Sequence, residues 1–327
     1  MPIFKLYNFP ILDSHIMKES FMKKLLLITA ACVLLSAVMC GESQAADKVE
    51  IALVPPAMVS PFYQAVIQGA EEVASKHDYD LKILAPDRED DAAGLLNIVE
   101  TMISRKVDAI ALCAMDEETS VTAVQKANAA GIPIVLFNTL VDLPAGDVFA
   151  YVGYDQRKGG AQVANYVLGK ISGDINAAII EGLPSSYTTE RAGGFNDVAA
   201  TEERLNVVVS QAADWEREKA MNVVTNVLTA NPDINMIFGL SDEMAIGAGQ
   251  AVKAAGKTED IFIMGLDGNE SAFDAIRKGL ISGTCDVNPV GIGVATVETI
   301  YKALNGESSP QKVVTDTLIV DSDNVAK

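Results

Sequence analysis

The feature that most constrains this sequence is a regular alternation between short apolar runs and longer stretches of helical periodicity. The apolar runs have the length of β-strands and lie at residues 51–54, 81–84, 109–113, 134–137, 177–180, 207–210, 236–239, 261–265 and 283–287. Residues 61–76 are typical of the stretches between them, because Phe62, Val66, Ala70 and Val73 fall on one helical face. Such alternation predicts parallel sheets covered by helices on both faces and joined by right-handed crossovers.

The alternation pauses at Tyr151-Val152-Gly153 and then starts again, which divides the chain into two units of similar length. A chain of 327 residues also exceeds the size at which one hydrophobic core usually stops growing. We therefore predict an α/β protein with two doubly wound parallel-sheet lobes. In sheets of this kind, ligands bind beyond the carboxyl ends of the strands.

Composition and motifs argue against several classes of function. The formal net charge of −19 offers no basic face to phosphates, so we predict no nucleic-acid partner. His77 is the only histidine after residue 45, which disfavours Ser-His-Asp triads and histidine-rich metal sites. No Walker-type loop is present, and Gly291-Ile292-Gly293 lacks the dinucleotide-binding spacing. We predict no cofactor, no metal and no enzymatic activity, although paired carboxylates leave glycosidase chemistry open.

The N-terminal residues 1–45 are predicted to be an extension and a signal peptide rather than part of the fold. Residues 22–24 are basic at two positions, residues 25–39 form an apolar run, and Ser43-Gln44-Ala45 resembles a cleavage site. Export to the periplasm follows, with Met22 as the expected start. A lipid anchor at Cys40 is the alternative, disfavoured by the bulky Met39 before it. Cys113 and Cys285 would then remain, either as two buried thiols or as a disulfide.

Polar and aromatic side chains follow almost every predicted strand. Sugars present hydroxyl groups that donate and accept hydrogen bonds, and apolar faces that pack on aromatic rings, so their sites need carboxylates, amides, an arginine and flat rings. The candidate ligand-binding residues of this type are Ser60, Phe62, Tyr63, Asp116, Asn138, Glu181, Arg191, Trp215, Ser241 and Asp267.

Each of these residues also has a purely structural interpretation. Trp215, the only tryptophan, could anchor the core of the second lobe, and Arg191 could be a solvated surface residue. Asn138 and Asp267 could serve as turn or helix-capping residues. The sequence alone leaves these alternatives open.

Several segments, taken in order, make the chain from about Lys48 to Val320 resemble the ribose/galactose-type periplasmic sugar-binding proteins of ABC importers. They are Ser60-Pro61-Phe62-Tyr63, Gly131-Ile132-Pro133-Ile134-Val135, Glu190-Arg191-Ala192-Gly193-Gly194-Phe195, Ala213-Asp214-Trp215, Ser241-Asp242-Glu243-Met244-Ala245 and Gly265-Leu266-Asp267-Gly268. The resemblance implies the type I periplasmic binding protein fold, with a three-segment hinge. It places residues 46–152 and 288–314 in an N-lobe, and residues 153–287 and 315–327 in a C-lobe.

The resemblance also implies a function. Phe62, Tyr63, Asn138, Arg191, Trp215, Ser241 and Asp267 would contact a sugar, the lobes would close around it, and the monomeric closed protein would deliver it to an inner-membrane ABC permease. The alternative is a ligand-binding subunit that feeds a chemoreceptor or sensor kinase and also binds furanose-like signalling molecules. Thr139 replaces an arginine of ribose binders, and Glu181 adds a carboxylate. These differences disfavour ribose itself, and the expected ligand is a different aldose, a polyol or an amino sugar.

Overall fold

A computed structural model describes residues 48–113 and 116–325. These described residues group into one compact unit. The predicted signal peptide, its cleavage site and Cys40 lie outside the described residues. No helix within the described part of the chain is both long and apolar enough to cross a bilayer.

The first sheet has six parallel strands in the order β11-β5-β4-β3-β1-β2. The strands are β1 (Glu50–Val54), β2 (Asp80–Ile83), β3 (Ala109–Cys113), β4 (Ile134–Phe137), β5 (Ala150–Gly153) and β11 (Lys312–Val314). Their connecting helices are α1 (Pro61–Lys76), α2 (Ala92–Arg105) and α3 (Glu117–Ala129). The central strands β1, β3 and β4 are almost entirely buried, as expected for strands covered by helices on both faces.

The second sheet has the order β12-β10-β9-β8-β6-β7, and only β12 runs antiparallel to its neighbour. Its strands are β6 (Ile175–Glu181), β7 (Leu205–Ala212), β8 (Met236–Gly239), β9 (Phe262–Asp267), β10 (Gly283–Asp286) and β12 (Leu318–Asp321). The remaining helices are α4 (Gln156–Lys170), α5 (Ser186–Ala199), α6 (Arg217–Ala230), α7 (Asp242–Ala254), α8 (Glu270–Arg277) and α9 (Pro289–Leu304). The two parallel-sheet lobes predicted from the alternation are confirmed.

Helix α9 returns to the first lobe, where it packs against α1 at very short range. A Cβ atom added at Gly69 would lie 2.0 Å from the carbonyl oxygen of Val290, and one added at Gly293 would lie 1.9 Å from that of Val66. Only glycine permits this approach at either position. The segment after β10 is therefore held to the first lobe by helix packing.

Sheet membership shows where the described chain passes between the lobes. The passages lie between β5 and α4, between β10 and α9, and between β11 and β12. Gly153, which we assigned to the C-lobe, ends a strand of the first sheet instead, because it pairs with Val314. All three passages lie beside the strand ends where the polar candidates occur.

Candidate functional site

A cavity of about 210 Å³ lies at the carboxyl ends of the strands and takes its walls from both lobes. It is lined by Pro56, Ser60, Phe62, Tyr63, Glu89, Asp90, Asp116, Asn138, Leu183, Pro184, Ser185, Tyr187, Arg191, Trp215, Ser241, Glu243 and Asp267. Sites for drug-sized ligands usually enclose about 300–1,000 Å³. The smaller volume here suits a ligand of monosaccharide size.

Arg191 and Asp267 form a buried ion pair in the cavity wall, and each is only 4% exposed. Arg191 Nη1 donates to Asp267 Oδ1 at 3.2 Å and to the Leu240 carbonyl at 2.6 Å, while Nε donates to Gln156 Oε1 at 2.8 Å. The guanidinium group carries five N–H donors, so donors remain for a ligand. Arg191 is therefore neither solvated nor mobile. It is a fixed hydrogen-bonding fork.

The turn that carries Asp267 is held in place by a second buried carboxylate, that of Asp242. Asp242 Oδ2 accepts from the amides of Gly268 and Asn269 at 2.9 and 2.7 Å, and Oδ1 accepts from the Thr284 hydroxyl at 2.5 Å. Burial and the neighbouring carboxylate raise the pKa of Asp242. Burial likewise raises the pKa of Asp267, and the positive charge of Arg191 partly offsets that effect. Sequence reasoning did not identify the role of Asp242 in fixing the turn that carries Asp267.

Gln156 joins Arg191 to Asn138 across the junction of the lobes. Its Nε2 donates to the Asn138 carbonyl at 3.0 Å, and its Oε1 accepts from the Tyr154 hydroxyl at 2.6 Å as well as from Arg191. Asn138 has a φ of 61°, in the left-handed region that asparagine tolerates better than most residues. Asn138 therefore does act as a turn residue, yet it also lines the cavity.

Aromatic rings form two opposite parts of the cavity wall. Phe62 and Tyr63 pack edge to face with centroids 5.0 Å apart in the first lobe. Trp215 belongs to the second lobe, and its ring centroid lies 5.4 Å from the guanidinium carbon of Arg191. Trp215 has a φ of 66°, a strained value for a bulky residue of the kind that often accompanies functional sites.

A contact between the lobes is made by Cys113 and two tyrosines. Cys113 Sγ lies 3.6 Å from the Tyr63 hydroxyl and 3.3 Å from the hydroxyl of Tyr187, which belongs to the second lobe. Burial raises the pKa of the Cys113 thiol to about 11, and it also raises the pKa values of both tyrosines. All three groups are therefore neutral near pH 7. Cys113 and Cys285 are both buried and are not joined in a disulfide.

Three further candidates lie in the cavity wall at the starts of helices. Asp116 accepts from the Thr119 amide at 2.8 Å and caps α3, and Ser241 accepts from the Met244 amide at 3.3 Å and caps α7. Ser60 precedes α1, but its hydroxyl makes no capping hydrogen bond. A residue at these positions can cap a helix and also line the cavity, because these helices begin beside the strand ends that border the cavity.

Glu181 is the one candidate that the structure does not bring into the cavity. It ends β6, and its carboxylate accepts a hydrogen bond from the hydroxyl of Ser210 on the adjacent strand β7. The Trp215 ring packs over the neighbouring Gly182. The end of β6 determines the position of the Glu181 backbone, but neighbouring side chains determine the direction of its carboxylate.

Several wall residues were not predicted from the sequence, and Glu89 and Tyr187 are the most notable of them. Glu89 lies in the polar loop between β2 and α2, which follows a strand end where no binding residue was predicted.

 Residues 87–91 of that loop are Asp87-Arg88-Glu89-Asp90-Asp91, with four acidic side chains and one basic one. That run of charge beyond a strand end was the signal that could have pointed to Glu89.

No group of three or more histidine, cysteine, aspartate or glutamate residues in the described part of the chain is arranged to hold a metal ion. The cavity wall instead combines one arginine, several carboxylates, hydroxyl groups and aromatic rings. This set can hydrogen-bond a small polyhydroxylated molecule and pack against its apolar face.

Comparisons with known proteins agree with this geometry. Residues 51–308 match the family model described as a periplasmic binding protein domain. The ribose import binding protein of Escherichia coli (strain K12) is 33% identical over 300 residues, covering 91% of this chain and 98% of that protein.

Two solved structures are similar to this chain in fold and in sequence. An ABC transporter periplasmic solute-binding protein from Actinobacillus succinogenes with bound D-allose is 36% identical with a TM-score of 0.81, covering 85% of this chain and 99% of that one. An ABC transporter solute-binding protein from Agrobacterium vitis with bound D-fucose is 30% identical with a TM-score of 0.81, covering 85% and 97%. The chain therefore belongs to the periplasmic binding protein family and is similar along most of its length to sugar-binding proteins of ABC importers.

Proposed function

We propose that this protein captures a single small sugar, polyol or amino sugar between its lobes and delivers it to an ABC permease in the inner membrane. The observation that carries the proposal is the buried Arg191–Asp267 pair, which faces a cavity shared by aromatic rings of both lobes. The guanidinium group of Arg191 and the carboxylate of Asp267 are held in fixed positions, so they can recognise where the hydroxyl groups of a ligand lie. A wrong epimer would leave these buried groups without partners, which costs free energy.

The binding roles of the nine cavity-lining candidates are part of this proposal. Ser60, Phe62, Tyr63, Asp116 and Asn138 would contact the ligand from the first lobe, and Arg191, Trp215, Ser241 and Asp267 from the second. A ligand that touches both walls favours the closed arrangement over the open one, since it gains contacts only when the lobes meet. The permease would then receive the closed, monomeric protein.

Export supports the same proposal. A predicted signal peptide with cleavage after Ala45 would place the protein in the periplasm, where a permease could receive it. The similar proteins include an import binding protein and ABC transporter solute-binding proteins. These comparisons do not favour the alternative of a subunit that feeds a chemoreceptor or sensor kinase.

A thermal-shift screen of the purified protein against aldoses, polyols and amino sugars tests the proposal. A bound ligand raises the melting temperature because it binds the folded state alone. The Asp267→Asn variant should lose the shift, and the Asp260→Asn variant, changed at an exposed position, should keep it. A broad panel that gives no shift with the unaltered protein would overturn the proposal.

A further inference from the structure

Glu89 differs from the other carboxylates of the cavity wall because its charge has no partner. It is half-buried, and it takes part in no hydrogen bond or ion pair within the described residues. A carboxylate that loses water without gaining a partner is unstable in its charged form. Burial accordingly raises the pKa of Glu89 to about 7.

The remaining carboxylates of the wall are already compensated. Asp267 pairs with Arg191 at 3.2 Å, Glu243 pairs with Arg217 at 2.8 Å, and Asp90 pairs with Arg88 at 2.6 Å. Asp116 accepts from a backbone amide at the start of α3. Glu89 is therefore left with a negative charge that no neighbouring residue neutralises.

Arg191 cannot take over this role. Among the described residues that line the cavity it is the only basic one, and its hydrogen bonds go to Asp267, Gln156 and the Leu240 carbonyl, with none to Glu89. Its charge reaches Glu89 only at longer range, where it lowers the pKa of Glu89 less than burial raises it.

Glu89 lies on the first-lobe wall, near the aromatic residues. Its charge raises the pKa values of Tyr63 and Cys113, both of which are buried. Closure of the lobes around a ligand removes more water from this wall. The free energy of the closed state then depends on what the ligand places beside Glu89.

We propose that Glu89 is a specificity-determining residue that selects a ligand carrying a protonated amine, as in an amino sugar, over the corresponding neutral sugar. This inference rests on the proposed function and narrows its ligand class. A hydrogen bond between an ammonium group and a carboxylate is about twice as strong as one between neutral groups. A hydroxyl group in the same place would satisfy the geometry but leave the charge uncompensated.

Calorimetric titration near pH 7 with matched pairs of ligands tests the inference. The pairs are D-glucosamine with D-glucose, D-galactosamine with D-galactose, and D-allosamine with D-allose. We expect at least one amino sugar to bind about tenfold more tightly than its parent, the difference that one charge-assisted hydrogen bond provides. Glu89→Gln should abolish this preference. Asp87→Asn, which removes a charge from an exposed position in the same loop, should preserve it.

The outcomes separate this inference from the proposed function. If neutral sugars bind at least as tightly as every amino sugar, or if Glu89→Gln leaves an existing preference unchanged, the inference is wrong and the proposed function stands. If neither class binds, the inference is wrong, and the thermal-shift screen against the broad panel decides whether the proposed function is wrong as well. A melting curve for Glu89→Gln checks folding, and we expect no loss of stability, because the substitution removes an uncompensated charge.

Discussion

Gly182→Ala tests whether close packing against Gly182 fixes the position of the Trp215 ring in the cavity wall. A Cβ atom at Gly182 would lie 2.0 Å from the Trp215 ring, whereas ordinary contacts begin at 3.4 Å. The ring would have to move by about 1.4 Å, since carbon atoms cannot approach more closely than van der Waals contact. The backbone of Gly182 does not have a positive φ, so alanine adds no backbone strain there.

We expect this displacement to weaken ligand binding far more than it weakens the fold. Trp215 is half-buried, so its ring can move toward the cavity at a cost of about 1–3 kcal/mol for overpacking. The moved ring would narrow the cavity and lose its stacking on Arg191, and we expect the affinity to fall by about 10- to 100-fold. Trp215 is the only tryptophan, so its fluorescence reports both the displacement and the binding of a ligand.

The control is Gly169→Ala in α4, where an added Cβ meets nothing within 4 Å. That variant should bind the ligand as the unaltered protein does, with equal or slightly higher stability, because alanine favours helix formation. If Gly182→Ala keeps both its emission spectrum and its affinity, then the ring is not held as the structure indicates, and the reasoning is refuted.

Three further substitutions probe the supports of the site and of the second sheet. Arg191→Lys should lower the free energy of unfolding by about 2 kcal/mol and weaken binding at least about tenfold, because lysine cannot make the forked contacts; unchanged melting and affinity would contradict this. Asp242→Asn should loosen the turn at Asp267 and weaken binding about tenfold, as titration calorimetry would show. The reason is that the asparagine amide has only one acceptor oxygen for the three groups that donate to Asp242. Asp321→Asn should cost about 1 kcal/mol at pH 7, because bonds from Tyr166 and Lys170 lower the pKa of Asp321 to about 2. That stabilisation is present above the ordinary pKa near 3.8 and is lost as the pH falls through about 2, so urea unfolding should show the two proteins converging in acid.

The alternation of strand and helix signals was sufficient to predict both lobes. Strands that are covered by helices on both faces form continuous apolar runs, and such runs are visible in a short stretch of sequence. The same logic located the polar strand ends and led to nine side chains that now line one cavity. It failed for Glu181 because the position of a strand end does not determine the direction of its side chain. It also overlooked Glu89, which lies in the charged loop after β2 and comes to line the cavity only through tertiary packing.

Sequence patterns alone were enough to predict the class of fold, the number of lobes and the types of side chain available to the site. The pairing of charges became visible only in three dimensions, where Arg191 and Asp267 neutralise each other and Glu89 has no ion-pair partner among the described residues. The physical reason is that hydrophobic periodicity is a local property of the chain, whereas compensation of a buried charge depends on groups that are distant in sequence.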